Sequence, residues 1–184
     1  DIVGSTRLWE ELPDKMATAL ARHDTLLTEC IERNHGSVVK GTGDGFMAIF
    51  SQAQEGISSA VAAQHALDEE SWDAEIGRLQ VRMALHTGTV EEREHDYHGT
   101  AVNRAARLVS AGHGGQILLS ETTYDLVWQE LPPGLMLKDL GRHRLKDISQ
   151  AENVFQLVTP NLTTIFPSLR TPQSNTTNLP VQLT

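Results

Sequence analysis

The sequence predicts an α+β sandwich, one mostly antiparallel sheet with helices packed on it. Three observations point there. Helical and strand-like stretches alternate irregularly, not in the regular strand–helix rhythm of a doubly wound parallel sheet. A glycine-rich turn, Gly41 to Gly45, joins two apolar runs in the manner of a hairpin. The last two apolar runs, Leu135 to Lys146 and Val154 to Val158, follow one another as an antiparallel pair.

The elements follow in order. Ser5 or Thr6 caps a short helix that runs through Glu11, and Pro13-Asp14 opens a longer one. Met16, Leu20, His23, Leu27 and Ile31 recur at helical spacing until His35-Gly36 ends the run. Val38-Val39 and Phe46 to Phe50 are the two arms of the hairpin, and Ser51 to Glu69, rich in alanine, is a second long helix. Val81 to Thr87 alternates as a strand, with Val81, Met83 and Leu85 on one face and Arg82 and His86 on the other. Glu91 to His98 reads as a polar loop, and Gly99 to Ala111 as a third helix closed by Gly112, Gly114 and Gly115. Ile117 to Leu119 is a short strand, after which Ser120 caps a helix to about Trp128. Beyond Pro160 periodicity gives way to Pro, Thr, Ser and Asn, the composition of a linker. The division is therefore residues 1–159 as one domain and 160–184 as a linker.

Bulk composition narrows the function. A chain of 184 residues with 39% hydrophobic and 21% charged residues suits one soluble globular domain. A net charge of -9 argues against general nucleic-acid binding, which needs a surplus of cations to neutralise phosphates. A nucleotide substrate stays open, because one local cluster of cations suffices for it. The single cysteine, Cys30, excludes an internal disulfide and a cysteine-based zinc framework. No run reaches the roughly 18 apolar residues of a membrane span, which makes the cytosol the default compartment. An opening of Asp1-Ile2-Val3-Gly4-Ser5-Thr6 begins mid-pattern, as in a piece of a longer protein.

Three constellations carry chemistry. In the first, a carboxylate (Asp1) ends a strand and Gly4-Ser5-Thr6 begins a helix, which suits a metal–phosphate site as well as a plain turn and cap. In the second, Lys40-Gly41-Thr42-Gly43-Asp44-Gly45 places a cation and a carboxylate on a hairpin whose glycines let a ligand approach closely. It is no Walker A loop, because no Gly-Lys-Ser/Thr follows. In the third, Asp96 leads a helix on which Asn103 and Arg107 stand one turn apart on the same face, so that an amide and a guanidinium can meet one phosphate. Arg104 lies on a different face.

Together these segments resemble the class III adenylyl and guanylyl cyclases, in the bacterial branch whose domains open with Phe-Thr-Asp-Ile-x-Gly-Ser-Thr. The matching stretches are DIVGSTRLWE, VVKGTGDGFMAIF, RMALHTG, DYHGTAVNRAARL, GGQILLS and DLGRHRLKDI, in family order across about residues 1 to 158. The resemblance implies a ferredoxin-like class III cyclase sandwich, here cut short in its first strand. It implies Asp1 and Asp44 as ligands of two divalent metal ions, Mg or Mn, with the Ile2 carbonyl assisting. Lys40 and Asp96 correspond to the purine-selecting pair in the combination associated with adenine: lysine donates to N1, and aspartate accepts from the 6-amino group. Asn103 and Arg107 correspond to the pair that orients the ribose and stabilises the α-phosphate. For the triphosphate-binding cation, Arg142, Arg144 and Lys146 are candidates, with Arg142 preferred.

The expected activity is conversion of ATP to 3′,5′-cyclic AMP and pyrophosphate at sites shared by the two chains of a homodimer. The alternative is a catalytically silent nucleotide-sensing or dimerising module. A guanylyl cyclase is disfavoured by Lys40 and Asp96, and a diguanylate cyclase by the missing Gly-Gly-Asp/Glu-Glu-Phe turn. The tail resembles the segment that joins such domains to an NTP-binding signalling module in large regulators, which implies a downstream domain of that kind.

Overall fold

A computed structural model describes residues 1–43, 45–93 and 96–172; of Lys40, Gly41, Thr42, Arg93 and Asp96 it describes the backbone alone. The helices are α1 (Ser5–Glu11), α2 (Pro13–Arg33), α3 (Ala53–Glu69), α4 (Thr100–Ala111) and α5 (Glu121–Val127). The strands are β1 (Ser37–Thr42), β2 (Gly45–Ile49), β3 (Met83–Leu85), β4 (Glu91–Arg93), β5 (Asp96–His98), β6 (Ile117–Ser120), β7 (Met136–His143) and β8 (Glu152–Val158).

Four strands form the central sheet in the order β3-β6-β8-β7, parallel between β3 and β6 and antiparallel elsewhere. The expected α+β sandwich is thus present. Alternation along the buried strands divides the core. Ile117, Leu119, Phe155 and Leu157 face α3 and α5 through Ile57 and Val127, with Tyr124 stacked on Phe155 at 3.8 Å between ring centroids. Leu118 and Val154, one residue out of phase, face Leu108 and Ala111 of α4 on the other side. A third cluster joins α1, α2 and α3 around Ile2, Met16, Leu27, Leu67 and Val81.

Local signals account for the helix bounds. Pro13 opens α2, where its missing N–H costs nothing. The buried positions Met16, Ala19, His23, Leu26, Leu27, Cys30 and Ile31 trace one helical stripe. Cys30 lies in the core as an apolar side chain, and burial pushes its thiol pKa up. Gln52 and Glu55 close a capping box that starts α3 two residues after the expected Ser51. Ser120 caps α5 by accepting from the Thr123 N–H.

Two expectations change. Glu91 to His98 is not a loop: β4 and β5 pair antiparallel, from Glu91 opposite His98 to Arg93 opposite Asp96. β1–β2 and β4–β5 are separate two-stranded ribbons, not strands of the main sheet. The segment 161–172 has no helix or strand, yet it is docked on the domain. Leu169 is buried in the cluster around Leu108 and Leu145, and the Arg170 N–H donates to the Ala111 carbonyl at the end of α4 at 2.9 Å. Gln156, itself buried, donates to the Thr164 carbonyl at 2.9 Å. No helix among the described residues is long and apolar enough to cross a membrane.

Candidate active site

The first motif lies along the outer side of the strand that continues into β3. Ile2 bridges Val81 antiparallel, the Arg82 N–H donates to the Asp1 carbonyl at 2.9 Å, and the Val3 N–H donates to the Gln80 carbonyl at 2.8 Å. In this register the Ile2 carbonyl turns to the opposite edge, away from residues 80–82. Ile2 as a whole is 1% exposed, so its side chain belongs to the core and its carbonyl sits just beneath the surface. Gly4 then takes a left-handed conformation, φ 74°, at the start of α1, which glycine enters without strain. Ser5 is buried and Thr6 exposed. Behind this segment, a Cβ on Gly114 would stand 2.5 Å from Cβ of Gln80 and 3.2 Å from Cγ2 of Val3, so glycine there permits the close packing.

The Asp1 carboxylate is in an ion pair with the Arg82 guanidinium, whose Nε is buried without a hydrogen-bond partner. Arg82 is the first site-adjacent residue that motif reasoning missed. Its signal was present in the alternation: it stands on the face opposite Val81 and Met83, where an unshielded arginine needs an acceptor.

The hairpin places Lys40 on β1 opposite Met47, with a bulge between Val38 and Lys40. Thr42 pairs with Gly45, and Gly43 enters the turn at φ 67°. Asp44 lies outside the described residues, as do the side chains of Lys40 and Asp96. Their strands meet nonetheless: Cα atoms of β1 and β5 come within 8 Å.

On α4, Leu108 and Ala111 are buried, while Asn103 is exposed and Arg107 half-buried. The amide and the guanidinium therefore stand on the outer side of the helix, one turn apart. Arg107 Nη2 lies 2.7 Å from Oδ2 of Asp147, in the turn after β7. Arg104, on its different face, pairs with Glu152 of β8 at 3.3 Å. Oε1 of Glu152 is buried without a partner; burial pushes this carboxyl pKa up, and Arg104 opposes the shift. His86 is hydrogen-bonded through Nδ1 to Ser120 Oγ at 2.8 Å, and burial, then Arg104, holds its pKa down.

Arg142, Arg144 and Lys146 are all exposed, and Arg142 sits on β7 opposite Asn153. β7 is the far edge of the sheet from β3. Three strand spacings of about 4.8 Å separate those edges, roughly 14 Å. One chain thus brings Lys40 and Asp96 onto neighbouring strands and Asn103 and Arg107 onto one helix face. It does not bring Arg142 to the Asp1 segment. Among the described residues no three His, Cys, Asp or Glu side chains gather as a metal cluster.

Residues 1–158 match the family model described as the adenylate and guanylate cyclase catalytic domain. An uncharacterized protein of Mycobacterium tuberculosis is 40% identical over 188 residues, an alignment that takes in all of this chain and 63% of that protein. The chain thus spans less than two thirds of that relative's length. An adenylate cyclase of Podospora anserina is 29% identical over 211 residues, covering 85% of this chain and 10% of its own. Among solved structures, adenylate cyclases from Trypanosoma brucei in their monomeric state superpose with a TM-score of 0.80 at 26% identity, over 92% of this chain and 89% of theirs. The adenylyl cyclase CyaB of P. aeruginosa superposes with a TM-score of 0.71 at 25% identity, over 86% of this chain and 90% of its own.

Proposed function

Since the chain belongs to the adenylate and guanylate cyclase catalytic domain family, we propose that it is an adenylate cyclase, converting ATP to 3′,5′-cyclic AMP and pyrophosphate at the interface of a homodimer. In that reaction the ribose 3′-oxygen attacks the α-phosphorus, the bond to the β-phosphate oxygen breaks, and the 3′-hydroxyl loses its proton. The observation that carries the reading is the placement of exposed Asn103 and half-buried Arg107 one turn apart on α4.

The donors around Asp1 fit a hard cation. The Asp1 carboxylate, once released from Arg82, and the Ile2 carbonyl are oxygen ligands of the kind Mg²⁺ or Mn²⁺ takes, and Asp44 would be the second carboxylate. When bound, two such ions acidify the 3′-hydroxyl and neutralise the triphosphate. The remaining work belongs to the chain. Lys40 and Asp96 read the adenine edge, a reading supported by the approach of β1 to β5. Asn103 orients the ribose, and Arg107 meets the charge that grows on the α-phosphate, the electrostatic contribution that usually counts most. Gly4, Ser5 and Thr6 line the phosphate side of the first motif, and Arg142 holds the outer phosphates. The separation of Arg142 from Asp1 across the sheet supports a site completed by the second chain, so that a symmetric dimer carries two.

A signalling domain that binds a nucleoside triphosphate would follow the tail in the parent protein, and the cyclase would act in the cytoplasm as its partner.

The deciding experiment measures cyclic AMP from ATP with Mg²⁺ or Mn²⁺, alongside GTP and an Asp44→Ala chain. Metal-dependent cyclic AMP abolished by the substitution is the expected result. A folded dimer that binds ATP and yields no product would replace this reading with the silent nucleotide-sensing module.

A further inference from the structure

Arg107 has a partner that the cyclase reading does not call on. Its Nη2 is 2.7 Å from Oδ2 of Asp147, a residue forty positions later in the chain. Both ends of this pair are mounted on the same piece of core. Leu108, next to Arg107, is fully buried, and so is Leu145, two residues before Asp147; both belong to the cluster that holds Leu118 and Val154. The turn is closed by the Ile148 N–H donating to the Leu145 carbonyl at 3.1 Å. Asp147 within it is held at φ 60°, a left-handed conformation that aspartate adopts more readily than most side chains.

A surface ion pair at this exposure contributes little to folding, because water screens it and long side chains lose freedom in forming it. Its effect lies elsewhere. A guanidinium carries five N–H donors in a fixed plane. Engaging Nη2 with a carboxylate on a core-anchored turn selects one orientation of that plane and leaves the other donors for a second anion. A half-exposed arginine without such a partner samples many rotamers and must be ordered in each turnover.

We infer that Asp147 is the positioning residue for Arg107: it holds the guanidinium in the orientation in which its remaining donors meet the α-phosphate. The inference rests on the cyclase reading, in which Arg107 acts on that phosphate. It assigns Asp147 an effect on kcat and none on the capture of ATP.

Asp147→Gly tests it, because glycine removes the carboxylate while relaxing the left-handed backbone, so that folding is spared. The expected result is a drop in kcat of about tenfold, below the roughly 10²-fold that a 1 Å misplacement can cost. KM for ATP and the melting temperature stay as in the parent chain. Asp147→Asn, which keeps an acceptor oxygen at the same reach, restores most of kcat. On an Arg107→Ala background, Asp147→Gly has no further effect, the mark of two residues acting as a unit. A kcat unchanged or raised by Asp147→Gly, or an equal loss on the Arg107→Ala background, overturns the inference and leaves the cyclase reading standing. A parent chain that forms no cyclic nucleotide removes both.

Discussion

The Arg104 guanidinium donates to the Glu152 carboxylate at 3.3 Å, tying the helix that carries Asn103 and Arg107 to the central strand β8. The pair is unequal. Arg104 keeps about a third of its side chain in solvent, whereas Glu152 retains 8% and leaves one oxygen buried without a donor. Burial of an ionised carboxylate is costly even when one partner is present.

That inequality predicts a pH dependence of stability. The folded-state pKa of Glu152 is raised above its ordinary value of 4.5, chiefly by burial. Between the unfolded and folded values the native state holds more protons than the unfolded one, so this group's contribution is full below about pH 4.5 and is lost as pH rises through the folded value. Urea denaturation should show the parent chain losing stability relative to Glu152→Gln as pH rises from about 4.5, because glutamine stays neutral. A difference independent of pH would contradict the assignment.

Arg107→Ala should lower kcat by roughly 10²–10³-fold, the scale of losing one donor to a developing oxyanion. ATP binding should be retained, as measured by calorimetry on the folded protein. Near-normal turnover in that variant would remove Arg107 from the chemistry.

Shared sites make a stronger demand. Asp44→Ala and Asn103→Ala chains, each inactive alone, should recover activity when mixed, because a heterodimer pairs one intact set of metal ligands with one intact Asn–Arg face. Verified heterodimers without activity would refute the two-chain site.

The docked tail should matter to folding. Leu169 is 5% exposed among Leu108, Leu118 and Leu145, so Leu169→Ala should cost about 2–3 kcal/mol, the lower part of the range for a buried leucine. The midpoint of denaturant unfolding reads this directly; an unshifted midpoint would place the tail outside the folding unit.

Much of the fold was legible because its signals are local. The stripe from Met16 to Ile31, Pro13 at the helix start and Ser120 as a cap each depend on neighbours within a turn. The placement of Asn103 and Arg107 one turn apart on a helix was also legible as a linear pattern. What escaped was carried by long-range pairing. The β4–β5 ribbon presents Glu91, Glu92 and His98 to solvent and shows no apolar alternation to betray a strand. The tail is polar except at a few positions, and one of these, Leu169, is buried against residues of α4, β6 and β8 that lie far from it in sequence. Arg82 with Asp1, and Arg107 with Asp147, join residues 81 and 40 positions apart, and no spacing rule connects them.

The two ribbons set apart from the main sheet have a consequence for how such a protein diversifies. Lys40 stands on one of them and Asp96 on the other, and no described side chain of β4 or β5 belongs to the three apolar clusters. Under the cyclase reading, Asp96 is carried on a strand whose described side chains lie outside the interior, whereas Lys40 is carried on a ribbon whose Val38, Phe46 and Ala48 pack against it. A descendant lineage could exchange its nucleobase preference more freely at the first position than at the second, where selection on the choice of messenger and selection on the durability of the fold would meet.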